Sequence, residues 1–171
     1  MSQPRRTVGV PVLLGLVAYA LAFVQRPGLA TADTKINLHV DPGRFLADVA
    51  SMWTSTGQLG GVQTGQQAGY LFPMGPFFAL GHLIGLPDWV VQRLWLGSLL
   101  ALAAWGAVRL LDALLAEPRG AAHLVTGLVI LLNPFVVTYT NRTTVTLLAY
   151  AALPWLLLAV HRGLREPGRW R

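Results

Sequence analysis

The sequence predicts an all-α integral membrane protein, a bundle of about four spans with a large loop after the first. Two composition figures and one pattern carry this. Of 171 residues, 54% are hydrophobic and only 12% are charged, whereas a soluble domain carries about 25% charged residues. Half the usual charge cannot cover a globular surface, so much of this surface faces something other than water. An ordinary cytosolic enzyme and a disordered chain are both excluded. The pattern is the gathering of apolar residues into runs about as long as a bilayer is thick.

The first run, residues 8–24, follows Pro4-Arg5-Arg6. Its basic flank also suits a signal peptide, but Gln25-Arg26-Pro27 follows where a small-residue cleavage site would lie, which favours a retained helix. Residues 94–115 form a second run, ended by the breakers of Glu117-Pro118-Arg119-Gly120. Residues 121–139 form a third, interrupted at Asn133-Pro134. Residues 144–160 form a fourth around Pro154, a proline that neighbouring helices can accommodate. This last run leads into His161-Arg162-Gly163-Leu164-Arg165.

A fifth stretch, residues 70–86, holds Pro73, Gly75, Pro76, Gly81 and Gly85, too many breakers for an independent span. Both chain ends are arginine-rich, which puts both on the cytoplasmic side and requires an even number of crossings. Four runs satisfy this, so residues 70–86 are expected to lie at the outer interface or to dip in and return. Tyr70, Phe72, Phe77 and Phe78 suit such a position. Residues 25–88 then form one extracytoplasmic loop. Within it, residues 43–53 place Phe45, Leu46, Val49 and Met52-Trp53 at helical spacing, a short amphipathic helix with Arg44 and Asp48 off its apolar face. Residues 55–69, rich in Gly, Gln and Thr, read as a mobile surface loop. The chain is expected to be the opening portion of a larger bundle, inactive by itself. No internal repeat is visible.

The net charge of +6 would suggest nucleic acid in a soluble protein. Here the basic residues fall mainly at the two ends, as cytoplasmic flanks beside anionic lipid do, with no basic face of interleaved aromatics. Nucleic acid is therefore not an expected partner; membrane lipid is. Lys35 is the sole lysine among 13 basic residues, which points to a GC-rich bacterial genome. The absence of cysteine removes disulfides, thiolate metal sites and cysteine nucleophiles. No metal ligand set is assigned, since His39 and His82 are too isolated for a zinc pattern.

Three of the seven acidic residues, Asp33, Asp41 and Asp48, lie together in the first part of the outer loop. Asp33 follows the first span closely. It reads either as a general base on a hydroxyl or as a loop aspartate that caps a helix or pairs with Lys35. Lys35 and Arg44 could neutralise a departing lipid-linked phosphate. Asp41 before Pro42 reads as a helix N-cap, or as a second catalytic or metal-coordinating carboxylate. Asp48 faces water or pairs with Arg44 one turn earlier. His82 could meet a phosphate or an acceptor sugar, or be a buried, satisfied imidazole. Arg93 could pair with Asp88 or with a phosphate. Arg109 and Asp112 share one face near the other end of the second long run, where snorkelling accounts for both.

Taken in order, Asp33-Thr34-Lys35, Arg44-Phe45-Leu46, Gly69-Tyr70-Leu71-Phe72-Pro73-Met74-Gly75-Pro76-Phe77-Phe78, Gly81-His82 and Gln92-Arg93-Leu94-Trp95 resemble the N-terminal region of the actinobacterial α-(1→3)-arabinofuranosyltransferase family. These are membrane enzymes of the GT-C class that build cell-wall arabinan. The likeness is strongest over residues 25–95, and the order of apolar runs agrees through Val160. It implies a multi-pass glycosyltransferase of the bacterial plasma membrane with a cytoplasmic N-terminus. Its first outer loop would carry the catalytic aspartate, matched to Asp33. The donor would be decaprenylphosphoryl-arabinose and the acceptor an arabinan hydroxyl. The implied mechanism is inverting, with Asp41 as a second carboxylate and Lys35, Arg44, His82 and Arg93 near the donor phosphate. No cofactor is assigned, and a divalent metal is compatible with the resemblance.

Two other classes compete. A transporter or flippase of lipid-linked sugars would share the basic residues and the lipid groove, but such folds carry midplane polar groups or inverted repeats that these runs lack. A non-catalytic membrane scaffold would make the aspartates dispensable.

Overall fold

The computed structural model describes residues 9–31, 35–54, 60–62, 68–115, 118–140 and 142–165. Its axis is a long helix, α6 (Asp88–Leu114), numbered by its place among the described helices α1 (Gly9–Phe23), α2 (Ile36–Val40), α3 (Pro42–Val49), α4 (Ala68–Leu71), α5 (Met74–Leu83), α7 (Ala121–Leu132), α8 (Pro134–Tyr139) and α9 (Thr146–Arg165). Helices α1, α7 and α9 pack around α6, while α5 packs on α6 and carries α3 on its other side. A two-residue antiparallel ladder joins β1 (Trp53–Thr54) to β2 (Gly61–Val62).

Among the described residues three helical stretches are long and apolar enough to cross a bilayer: α6, the α7–α8 pair and α9. Helix α1 is as apolar but has only 15 residues, a length of about 22 Å against a hydrocarbon core of roughly 30 Å. Helix α6 is the opposite case. Its 27 residues span about 40 Å, and it begins six residues before the apolar run that announces it. Asp88 in the first turn suits the positive end of the helix dipole. The two polar residues that interrupt the apolar pattern, Gln92 and Arg93, are buried against the segment ahead of α2.

Large side chains meet glycines where the helices cross. Tyr19 of α1 lies over Gly97 of α6, so that any Cβ there would overlap its ring, and Trp155 of α9 lies over Gly106 in the same way. The polar tips are satisfied as the rings bury. Tyr19 hydroxyl and Ser98 Oγ are 2.9 Å apart, and Trp155 Nε1 donates to the Leu102 carbonyl at 2.9 Å. These contacts set the close approach of α1 and α9 to α6.

The break at Asn133-Pro134 is stabilised from both sides. Asn133 Oδ1 accepts from Val136 N–H at 3.1 Å and caps α8, while Asn133 Nδ2 donates to the Ile130 carbonyl at 3.0 Å and to the Tyr150 hydroxyl. Tyr150 donates in turn to Ile130 O at 2.9 Å. A carbonyl freed at the end of α7 thus finds two donors inside the bundle.

Residues 70–86 do not form one span. Helix α4 ends at Leu71, and α5 runs only ten residues, about 15 Å. Met74, Phe78 and Gly81 are buried, whereas Phe72, Leu80, Leu83 and Ile84 are exposed. The amphipathic helix is also shorter than its spacing suggests. Helix α3 stops at Val49, and Met52 and Trp53 leave it, 82% and 57% exposed. Ser51 makes the difference. Its hydroxyl donates to the Trp53 carbonyl at 2.9 Å and accepts from the Trp53 amide at 3.2 Å, a local bond that competes with helix continuation. Of the expected mobile loop, residues 55–59 and 63–67 lie outside the described residues.

Candidate functional site

The described residues singled out for chemistry lie on different elements: Lys35 just ahead of α2, Asp41 and Arg44 at the start of α3, His82 on α5 and Arg93 in the first turns of α6. Asp33 itself lies outside the described residues; Thr31 and Lys35 are the described residues nearest to it in sequence. Lys35 stands just before α2 with its Nζ 6.0 Å from the centre of the Tyr70 ring, within reach of a cation–π attraction. Tyr70 meets Phe45 edge-on at 6.5 Å, and His39 meets Phe78 edge-on at 4.9 Å. Phe77 packs on Trp95 of α6 at 5.3 Å. An aromatic seam therefore joins α2, α3 and α4–α5 to α6, and the YLFPMGPFF string supplies most of it.

Asp41 is the N-cap of α3. Its Oδ1 accepts from Arg44 N–H at 2.9 Å, with Pro42 at the first helical position, which satisfies one orphan donor of the helix start. Arg44 and Asp48, one turn apart on the exposed side of α3, approach to 4.0 Å. Asp41, Arg44 and Asp48 line one cavity of about 390 Å³ together with Asn37, Val40 and Phe45. Lys35, His82 and Arg93 do not line it. His82 is exposed on α5 rather than buried.

Arg93 differs most from expectation. It neither pairs with Asp88 nor presents its terminal nitrogens outward; it is 2% exposed. Its Nη1 donates to Thr31 Oγ1 and its Nη2 to the Leu29 carbonyl, both at 3.0 Å. Gln92, 1% exposed, holds the same residue through its side-chain amide. Its Oε1 accepts from Thr31 N–H at 2.7 Å and its Nε2 donates to Thr31 O at 3.0 Å. Thr31 Oγ1 in turn donates a hydrogen bond to Gln25 Oε1 at 3.2 Å. The sequence assigned Arg93 a candidate role and marked Gln92 only as part of the family motif. The signal was two adjacent polar residues inside the first turns of a membrane span, where each needs a partner.

At the far end of α6, Asp112 is not a snorkelling carboxylate. Arg119 grips it through Nη2 to Oδ2 at 2.6 Å and Nε to Oδ1 at 3.0 Å, and His123 Nε2 lies 3.3 Å from the same Oδ1. This hydrogen-bonded pairing raises the Arg119 pKa above its ordinary value. Arg109 is exposed beside it. Among the described residues no three His, Asp or Glu side chains gather where they could hold a metal ion.

Residues 17–171 match the family model of the α-(1→3)-arabinofuranosyltransferase N-terminal GT-C domain. The chain is 42% identical over 154 residues to an α-(1→3)-arabinofuranosyltransferase of Mycobacterium tuberculosis, covering 90% of this chain and 11% of that one. It is 37% identical over 153 residues to the enzyme of the same name from Mycolicibacterium smegmatis, again with 90% and 11% coverage. A cryo-EM structure of the arabinofuranosyltransferase AftD from mycobacteria superposes with a TM-score of 0.79 at 37% identity, over 88% of this chain and 11% of that chain. The chain thus spans about a ninth of the length of the relatives it matches. It belongs to the α-(1→3)-arabinofuranosyltransferase family and corresponds to its N-terminal GT-C domain.

Proposed function

We propose that this family domain works as the donor-side part of a membrane arabinofuranosyltransferase. Arabinofuranose passes from decaprenylphosphoryl-arabinose to a hydroxyl of cell-wall arabinan, on the outer side of the bacterial plasma membrane. The observation that carries this is family membership over residues 17–171, which takes in every residue assigned to the chemistry. Both arginine-rich ends face the cytoplasm. Helices α1, α6, α7–α8 and α9 make four crossings, and residues 25–88 form the outer catalytic loop.

Asp33 is the general base. As the acceptor oxygen attacks the anomeric carbon from the face opposite the phosphate, its proton passes to the Asp33 carboxylate. The bond from the anomeric carbon to the phosphate oxygen breaks, and polyprenyl phosphate leaves with that electron pair, giving inversion. Lys35 and Arg44 offset the charge that develops on the leaving phosphate, where low water content strengthens their effect. Asp41, committed to the α3 cap, shapes the Arg44 cavity rather than moving a proton. His82, exposed on α5, is placed to meet solvent-side groups of donor or acceptor.

The test is transfer of labelled arabinose from decaprenylphosphoryl-arabinose to an oligo-arabinan by membranes carrying the complete protein, wild type beside Asp33→Asn at matched expression. A fall of about 100-fold or more is expected for the variant. Undiminished transfer by Asp33→Asn removes the base assignment, and no transfer by wild type removes the donor.

A further inference from the structure

The geometry points to Gln92 and Arg93 as the positioning residues of the outer loop: by gripping Leu29 and Thr31 they fix the stretch of chain that leads into Asp33. This rests on Asp33 being the base. Two polar side chains that are 1% and 2% exposed at the end of a membrane span are costly to bury without partners; the Gln92 amide and both Nη atoms of Arg93 find them, and only Arg93 Nε does not. All the hydrogen-bond partners they have here lie on one short segment. The Gln92 amide pairs with both the N–H and the C=O of Thr31, as a neighbouring strand would, and so orients the peptide planes on both sides of that residue. The Arg93 fork adds the Thr31 hydroxyl and the Leu29 carbonyl, a rigid two-point grip that lysine could not reproduce.

Two residues of chain reach about 7 Å at most, so holding residue 31 restricts where residue 33 can lie. On the other side α2 begins at Ile36, with Leu38 fully buried and His39 against Phe78. The chain is therefore held both before and after Asp33. A base displaced by about 1 Å loses rate on the order of 100-fold, so a buried clamp two residues away acts on catalysis without touching substrate. With both Nη groups of Arg93 committed to Thr31 and Leu29, its contribution falls on turnover and not on donor affinity.

The decisive experiment is steady-state transfer by membranes carrying the complete protein, with Thr31→Val, Thr31→Ser and Arg93→Gln beside wild type. It is paired with hydrogen exchange at the residue 31 amide in wild type and Gln92→Ala. Thr31→Val removes one hydroxyl at nearly constant shape, so it keeps the test readable if Arg93→Gln fails to fold. The expected result is a kcat about tenfold lower in Thr31→Val with donor KM within about twofold, near wild-type kcat in Thr31→Ser, and faster exchange at residue 31 in Gln92→Ala. A raised donor KM with unchanged kcat in Arg93→Gln would place Arg93 on the donor and overturn the inference, as would unchanged exchange in Gln92→Ala. Undiminished transfer by Asp33→Asn would instead sink the role of Asp33, and faster exchange in Gln92→Ala would then still uphold the clamp itself.

Discussion

The two ends of α6 solve the problem of a buried cation in different ways. At its beginning, Arg93 is held through its two terminal nitrogens by neutral groups, a hydroxyl and a backbone carbonyl more than sixty residues away in sequence, while its buried Nε has no partner among the described residues. At its far end, Arg119 is satisfied by a carboxylate seven residues away, with His123 on the same acid. The local pair closes the turn from α6 into α7, which a short connection already favours. The distant clamp does what no local preference does, tying the exit of α1 to the start of α6. An ion pair supplies strength over a short loop, whereas a set of directed hydrogen bonds fixes the orientation of a loop.

This contrast can be broken at either end. The largest effect on stability is expected from Asp112→Ala, which removes the carboxylate that Arg119 grips, the arginine's side chain being 8% exposed. Removing one partner of a buried pair costs 3–5 kcal/mol, and Asp112 is 19% exposed, so about 2–3 kcal/mol is expected. Thermal unfolding of the complete protein in detergent would measure it, and an unchanged midpoint would mean that the pair is ornamental. Base does not reproduce this loss. A cation whose pKa is raised on folding contributes stability that is complete below its ordinary value and fades only as pH rises through the folded one. For Arg119 that window lies on the alkaline side, and stability at this end should stay flat from neutral pH to about pH 10.

Gly106→Leu comes next, since its side chain must displace Trp155. Overpacking of this kind costs about 1–3 kcal/mol and should lower the midpoint while leaving exchange at residue 31 unchanged. Asn133→Ala removes a cap and a donor to Ile130, for a loss of about 1 kcal/mol. The smallest effect belongs to Arg44→Ala. Its partner Asp48 is 4.0 Å away, and their side chains are 73% and 62% exposed, so stability should move by less than about 0.5 kcal/mol. Under the proposed function the same change raises the donor KM. A variant silent in unfolding but visible in donor titration would separate the phosphate-facing cation from the clamp.

The local features were legible in the sequence because their causes are local. Composition excluded a soluble globule, and apolar runs located α7–α8 and α9. Asp41-Pro42 announced the start of α3 through cap chemistry confined to four residues. The breakers of residues 70–86 foretold that no single span would form there. Misreadings occurred where a side chain chose among several partners. Met52 and Trp53 fit a helical period, yet the Ser51 hydroxyl, bonded two residues on, ended the helix first. His82 is exposed and His39 buried, though nothing in their spacing ranks them.

What the sequence by itself determined is therefore the class of protein, the order of its apolar helices and the family to which its motifs belong. Hydrophobic period, cap residues and charge flanks act within a few residues of where they are written. What only the tertiary structure decided is which polar groups meet. The Gln92–Thr31 pairing, the burial of Arg93 on the exit of α1 and the Asn133–Tyr150 link across helices each join residues brought together by packing. A buried donor must find an acceptor in space, and the linear order of the chain does not say which one will be there.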